Sequence, residues 1–368
     1  MTPRVKIAYT CSSVPADYQT APHLIHERTP RTGDVGIFRV IKSDGKYLKG
    51  VDSASQYLFT DDHIMAVFGP RYATSQYEAY LPTQPVVDLS LVGRGGVVAL
   101  VHSQSARHSG DALPLEMVAF VTDSQGEVIN TREQYQLPAY RACSGGARVL
   151  LSVGSSMDSG KTTTAAFAAA GLERAGHTTA FIKLTGTAFP KDSQFVLDRG
   201  ASYVTDFSRA GYPSTFRVPQ TELLCLYQFL VDNCVAACQP DFIVVELADG
   251  ILQPETGKLL QDPDFMSTVS GTMLSCGDSL GILSGLTTLR GWGIEPCMLS
   301  GLFSASQLLI NEVQRHTSVP VLTLEDMLAM KMIGILPGTT IPESKEKEDI
   351  SGDEVDISTV AKALDPAA

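Results

Sequence analysis

The stretch Leu150–Leu172, LLSVGSSMDSGKTTTAAFAAAGL, constrains this chain more than any other. An apolar run stops at Gly154. Small and polar residues fill Ser155 to Ser159, Gly160-Lys161-Thr162 follows, and an alanine-rich segment completes the stretch. That order spells a buried strand, a loop with little side-chain bulk, and a helix. Backbone N–H groups of such a loop can wrap a phosphate, and the helix N-terminus adds the positive end of its dipole. In a P-loop the lysine reaches the terminal phosphates and the next hydroxyl holds Mg²⁺. The expected nucleotide-binding set is therefore Gly154, Ser155, Ser156, Asp158, Ser159, Gly160, Lys161, Thr162 and Thr163. Lys161 is the neutralising cation, Thr162 a Mg²⁺ ligand, and Thr163 a neighbour of the α-phosphate. The usual spacing separates a glycine from Gly-Lys-Ser/Thr by four residues; here Ser155 stands at that position and Gly154 lies one residue earlier.

The surroundings fit an α/β domain. RVLLSV, TTAFIK and DFIVVEL read as buried strands, with SLGILSG and EPCMLSG as two more and VPVLTL as a last one. Helices are expected over Lys161–Ala175, over TELLCLYQFLVDNCVAAC and over ASQLLINEVQRHT. Strands alternating with helices predict a mainly parallel sheet flanked by helices. Residues 1–146 read differently. GDVGIFRVIK, KYLKGV, HIMAVFG, VVDLSLVG, GGVVALVHS and EMVAFVTDSQGEVIN are short runs punctuated by Gly, Asp, Pro and Ser, which predicts a β-rich, barrel- or sandwich-like domain. The expected division is 1–146, then a P-loop domain over 147–336, then an acidic tail over 337–368. The tail carries seven acidic residues against two lysines between Glu343 and Asp356, has no aromatic residue, and reads as disordered.

Composition narrows the function. The net charge of -12 argues against a nucleic-acid-binding surface, which needs clustered Lys and Arg. No apolar run approaches transmembrane length, and the start of the chain has no signal-like apolar region. Seven scattered cysteines do not form a disulfide framework, and Cys234 and Cys238 share a helix face as packing residues. The expectation is a cytoplasmic protein that engages neither membrane nor nucleic acid. The seven histidines make no ligand spacing.

Glu246 ends the apolar DFIVVEL run where a Mg²⁺-binding or nucleophile-orienting carboxylate belongs, with Asp249 beside it. Lys183 ends TTAFIK on the ligand side of the sheet, since ligands gather at strand carboxyl ends. It is expected to hold an anionic substrate or a transferred phosphate, or else to be a solvated lysine. RAGYPSTF, Arg209–Phe216, reads as a substrate lid or a plain turn, and Ser304 as a residue near the base or an N-cap. Arg71, Tyr72, Tyr77 and Tyr80, with GRGG at Gly93–Gly96, read as a recognition surface or as the wall between two domains.

Gly154, separated by five residues from Gly160-Lys161-Thr162, resembles dethiobiotin synthetase and its relatives in the SIMIBI class of P-loop proteins. DFIVVELADGILQPE resembles that family's strand, Glu, small-residue loop and Pro, and AFIKLTG its second strand. The opening strand-helix-strand is also similar to the molybdopterin-guanine dinucleotide biosynthesis adaptor GTPase. The chain departs at Lys183-Leu184, where dethiobiotin synthetase has Lys-Pro, and at Leu247–Gly250. It also lacks the extra lysine of the Par/Min-type ATPases, where Ser155 and Ser156 stand. The resemblance implies ATP rather than GTP, a further Mg²⁺ carboxylate among Asp192, Asp198 and Asp206 with Asp206 favoured, and a homodimer. Two functions are expected. The first is a Mg-ATP-dependent kinase- or ligase-type enzyme acting on an anionic or hydroxyl metabolite, with Lys161, Glu246 and Lys183 as catalytic residues and Thr162, Glu246 and Asp206 on the metal. The second is a nucleotide-dependent switch whose β-rich domain binds a protein partner.

Overall fold

The computed structural model describes residues 4–43, 45–108 and 110–339. Two sheets organise it. In the first, the strands His63–Phe68, Val35–Val40, Leu113–Thr122, Asp88–Gly93 and Val97–Gln104 pair in that order. The last pairs back with the first, Val97 against Val67 and Val98 against Phe68, which closes a barrel. Alternating side chains fill it: Phe38, Phe68 and Phe120 are fully buried and stack edge-on or offset, with centroids 5.4 and 6.0 Å apart. The Val97–Gln104 strand outruns the barrel. Its outer half pairs with Tyr77–Tyr80, which pairs in turn with Arg71–Tyr72, and these three strands form an arm.

The second sheet is six-stranded and parallel throughout: Tyr203–Asp206, Thr179–Lys183, Phe242–Glu246, Arg148–Gly154, Val269–Ser275, Met298–Ser300. Its central strands are apolar on both faces, as a parallel sheet covered by helices requires. The helix Lys161–Arg174 buries alanines all along its length and lies in the core between the sheet and the segment around Met327 and Met332. Gln220–Cys238 covers the opposite face. The barrel-plus-parallel-sheet class is as the sequence predicts.

Two local readings are corrected. SLGILSG lies in a helix, Ser279–Gly291, capped by Asp278, whose carboxylate accepts from Gly281 N at 2.7 Å. Ile282, Gly285, Leu286 and Leu289 face inward at helical spacing. The strand there is Val269–Ser275, whose Ser, Gly and Thr hid it. VPVLTL contributes only an isolated bridge, Val321 to Leu299. Disorder of the tail lies outside the described residues, except that Pro337–Thr339 are placed and Thr339 is buried.

The domains meet across the carboxyl ends of the parallel strands. Thr131 Oγ1 donates to Gly211 O at 2.6 Å, Arg132 pairs with Glu222, and Tyr72 and Tyr80 face Phe216 with centroids 5.2 and 5.9 Å apart. Gly95 permits the approach, since a Cβ there would stand 2.1 Å from Ala188 O. The Arg209–Phe216 loop is the other half of this seam, with Tyr212, Ser214 and Thr215 buried.

Candidate nucleotide site

The site is built where the Arg148–Gly154 strand hands over to the Lys161–Arg174 helix. Gly154 explains the shifted motif: a Cβ there would meet Ser159 Oγ at 2.2 Å and Lys161 Cγ at 2.8 Å, so the loop folds back tightly over the strand end. Asp158 and Gly160 adopt positive φ, 61° and 96°, which turns successive N–H groups inward. Among the described residues, the N–H groups of Ser156, Met157, Ser159, Gly160, Lys161 and Thr162 donate to no carbonyl. Successive N–H groups that meet no carbonyl at a helix N-terminus are an arrangement that suits an anion.

Ser152 Oγ donates to Lys161 O at 2.9 Å and Ser275 Oγ to Thr164 Oγ1 at 3.0 Å, which fixes the first helical turn to two neighbouring strands. Lys161 is buried, and its ammonium donates to Ser156 O at 2.7 Å, inside the loop. Burial pushes its pKa down, while Glu246 and Asp249 pull it back up. Glu246 lies in register with Ser152 and Lys183, so all three project from one face. Its Oε1 accepts from Thr162 Oγ1 at 3.1 Å, and its Oε2 is buried with no partner. Burial raises the Glu246 pKa, Asp192 adding to the rise and Lys183 and Lys161 opposing it. Ser159 Oγ is likewise buried and unpartnered.

These orphaned atoms test whether the expected groups fit. The open cradle beside a buried ammonium suits a polyphosphate, and a hydroxyl touching a carboxylate with one free oxygen suits a hard divalent cation. Lys161 and the loop would hold the phosphates, with Thr162 and Glu246 at the metal. Mg²⁺ would supply charge neutralisation there. Among the described residues no cluster of three or more His, Cys, Asp or Glu forms a metal site of protein groups alone, as expected for an ion that shares its shell with phosphate and water.

The structure places the remaining candidates as follows. Lys183 is buried and ion-paired with Asp192, in the first turn of the Pro190–Asp198 helix. Burial works against its charge, yet Asp192, Glu246 and Asp206 together hold its pKa above the ordinary value. Asp206 lies in register with Lys183, but its oxygens accept from Ser208 N at 2.8 Å, from Ser208 Oγ and from Tyr9 OH at 3.2 Å. Asp198 is exposed, bonded to Gln194, and not brought to the site. Asp249, at φ 61°, sits in the turn after Glu246 and feels the charges of Lys161, Lys183 and Arg71. Thr163 is buried in the first helical turn. Ser304 donates to Gly301 O at 2.8 Å within a short turn next to the phosphate loop, where Leu302 N donates to Ser159 O at 3.3 Å.

Sequence reasoning missed Tyr9 and Ser75, both from the barrel domain. Ser75 Oγ stands 2.9 Å from Met157 Sδ and 3.4 Å from Asp158 Oδ2. Two clefts of the molecule lie elsewhere, one lined by Asp262, Gly271 and Trp292 and another by Arg31, Tyr135 and Glu222. Neither has the donor set of a phosphate cradle, so chemistry rather than cavity size marks the site.

The parallel sheet, the loop and the acidic strand end beside it have the arrangement of a P-loop α/β domain, which the motifs resemble. No family model matches the chain, and no curated protein does. Among solved structures it is similar to the signal recognition particle receptor FtsY from Elizabethkingia anophelis, at 14% identity and TM-score 0.33, over 47% of this chain and 57% of that one. The chain thus spans little more than half of that receptor's length. It is also similar to a nucleotide-binding protein from Archaeoglobus fulgidus in complex with ADP, at 12% identity and TM-score 0.32, over 53% of this chain and 93% of that one. A third similarity is to the signal recognition particle 54 kDa protein from Aeropyrum pernix in complex with GDP, at 13% identity and TM-score 0.30, over 52% and 39%. Likeness at this level does not carry a function across.

Proposed function

We propose that this chain binds a Mg²⁺-bound nucleoside triphosphate, ATP in preference to GTP, and transfers its terminal phosphoryl group to an anionic or hydroxyl-bearing small molecule. The carrying observation is buried Lys161 and buried Glu246 with half-buried Thr162 bonded to Glu246, one Glu246 oxygen without a partner, and a run of loop N–H groups that donate to no backbone carbonyl. Phosphoryl transfer asks for positioning and charge neutralisation more than covalent help, which is what these groups can give. The acceptor side is supported by Lys183, Asp192 and Asp206 beside Glu246, on the same end of the sheet. Buried ion pairs are weak stabilisers, so the Lys183–Asp192 pair next to a phosphate site favours a role in holding substrate or aligning the site. In this reading Lys161, Glu246 and Lys183 act at the reacting phosphate, Thr162 and Glu246 hold the metal, and Asp206 lies toward it through a shared solvent shell. Residues 1–146 and 147–336 are its working units, in a cytoplasmic homodimer. No described helix is long and apolar enough to cross a membrane.

A second reading, a nucleotide-dependent switch with a protein partner on the barrel, is favoured by the contact of Ser75 with the phosphate loop. The ADP and GDP complexes of the similar proteins are compatible with either reading. The deciding experiment is a thermal-shift series with Mg²⁺ and ATP or GTP, for wild type and Lys161→Ala, followed by phosphate release with and without a metabolite library. A shift in wild type alone, with release driven by a metabolite, is the expected result. Binding with turnover that only a protein partner stimulates would replace the first reading by the second. No shift with either nucleotide would defeat both.

A further inference from the structure

The phosphate end of the site is roofed by the other domain. The arm formed by Arg71–Tyr72 and Tyr77–Tyr80 leaves the barrel and reaches the loop, where its tip residue Ser75 meets Met157 and Asp158. Arg71 opens this arm. One terminal nitrogen of its guanidinium donates to Gln76 Oε1, and the group lies 5.8 Å from the centre of the Tyr77 ring. Its Nε is shut off from solvent and has no acceptor. Burial lowers the Arg71 pKa to about 10, and Asp249 works against that fall. The same Asp249 feels Lys161, Lys183 and Asp158. The charges of Arg71, Lys161 and Lys183 all act on Asp249, in the turn that follows Glu246. A buried guanidinium with an unmet donor is costly, and planar forked donors suit phosphate oxygens.

Building on the nucleotide reading above, we propose that Arg71 is a phosphate-binding residue supplied to the P-loop by the barrel domain, joining Lys161 at the terminal phosphate of a bound triphosphate. The barrel then completes the nucleotide site, and the terminal phosphate fastens the two domains together. Gln76 holds the guanidinium in place until phosphate oxygens arrive.

The test is calorimetric titration of the full chain with Mg²⁺ and ATP, ADP, GTP or GDP, for wild type, Arg71→Ala, Arg71→Gln, Arg71→Lys and Lys161→Ala. Loss of one charge-assisted contact should weaken triphosphate binding about tenfold or more in the Ala and Gln variants and leave diphosphate binding within about threefold. Arg71→Lys should recover part of the loss, because it keeps the charge but not the fork. Equal weakening of both nucleotides, with a lowered melting temperature, would make Arg71 a structural interdomain residue and overturn the proposal. So would an unchanged triphosphate-to-diphosphate ratio. If neither neutral variant folds, Arg71→Lys decides alone by the same ratio. Absence of any binding by wild type would remove the nucleotide reading itself, an outcome separate from failure of the Arg71 variants to discriminate.

Discussion

Two charged clusters share one end of the parallel sheet, and they are finished differently. Around Lys161, Thr162 and Glu246, two buried side-chain atoms lack partners, Glu246 Oε2 and Ser159 Oγ, beside a run of loop N–H groups that donate to no backbone carbonyl. Around Lys183, Asp192 and Asp206, partners come from the protein itself, including Tyr9 of the barrel. Burying an unpaired polar group costs free energy, so folded chains rarely leave several together. The first cluster is shaped for groups that arrive from outside. The second is satisfied at rest, so it either fixes the geometry of the site or must open its own ion pair to take a substrate.

The largest effect should come from breaking the finished cluster. Asp192→Asn leaves Lys183 buried without its counter-charge and should destabilise the chain by about 3 kcal/mol in denaturant unfolding. The sign with pH follows from Lys183. Its folded pKa is raised above the ordinary lysine value, so its stabilisation is complete below that value and fades only as pH rises through the raised one. The difference between wild type and Asp192→Asn should therefore stay flat across about pH 6 to 9 and shrink only in stronger alkali. A penalty that vanished near neutrality would show that the pair is not the buried, charged one described.

Breaking the open cluster should cost little at rest and much with ligand. Lys161→Ala should melt near wild type alone, yet lose the stabilisation that nucleotide gives, about 2.7 kcal/mol at a hundredfold excess over Kd. If instead it unfolds as readily as Asp192→Asn, the two clusters are not distinct in kind. The smallest effect sharpens the contrast. Ser159→Ala removes a buried hydroxyl that has no partner, so unfolding in the absence of nucleotide should be unchanged or slightly harder. Nucleotide affinity should fall by about 1 kcal/mol, measured by titration.

The site was legible in sequence where its parts are contiguous. Gly154 to Thr163 lie on one strand-loop-helix unit, and Glu246 closes an apolar strand, so local pattern and small-residue spacing were enough. Lys183 was read as open to an anion or solvent; its pairing with Asp192 depends on how the Pro190–Asp198 helix begins beside the strand. The clustered Arg71, Tyr72, Tyr77 and Tyr80 and the Gly93–Gly96 run hinted at a domain wall, which is where they lie, but nothing in them named the phosphate loop as the far side.

What the sequence by itself determined is the strand-loop-helix unit of the candidate phosphate loop, the alternation that makes a parallel sheet, and the short-strand grammar of the barrel. Each follows from residues close enough along the chain to act on the same backbone. Only the tertiary structure decided which groups near Glu246 are satisfied and which are left open, and that Tyr9, Ser75 and Arg71 reach the P-loop end from another domain. Those facts depend on contacts between segments up to 199 residues apart, as between Ser208 and Tyr9. Their geometry is fixed by packing of the barrel against the sheet, which no local pattern encodes.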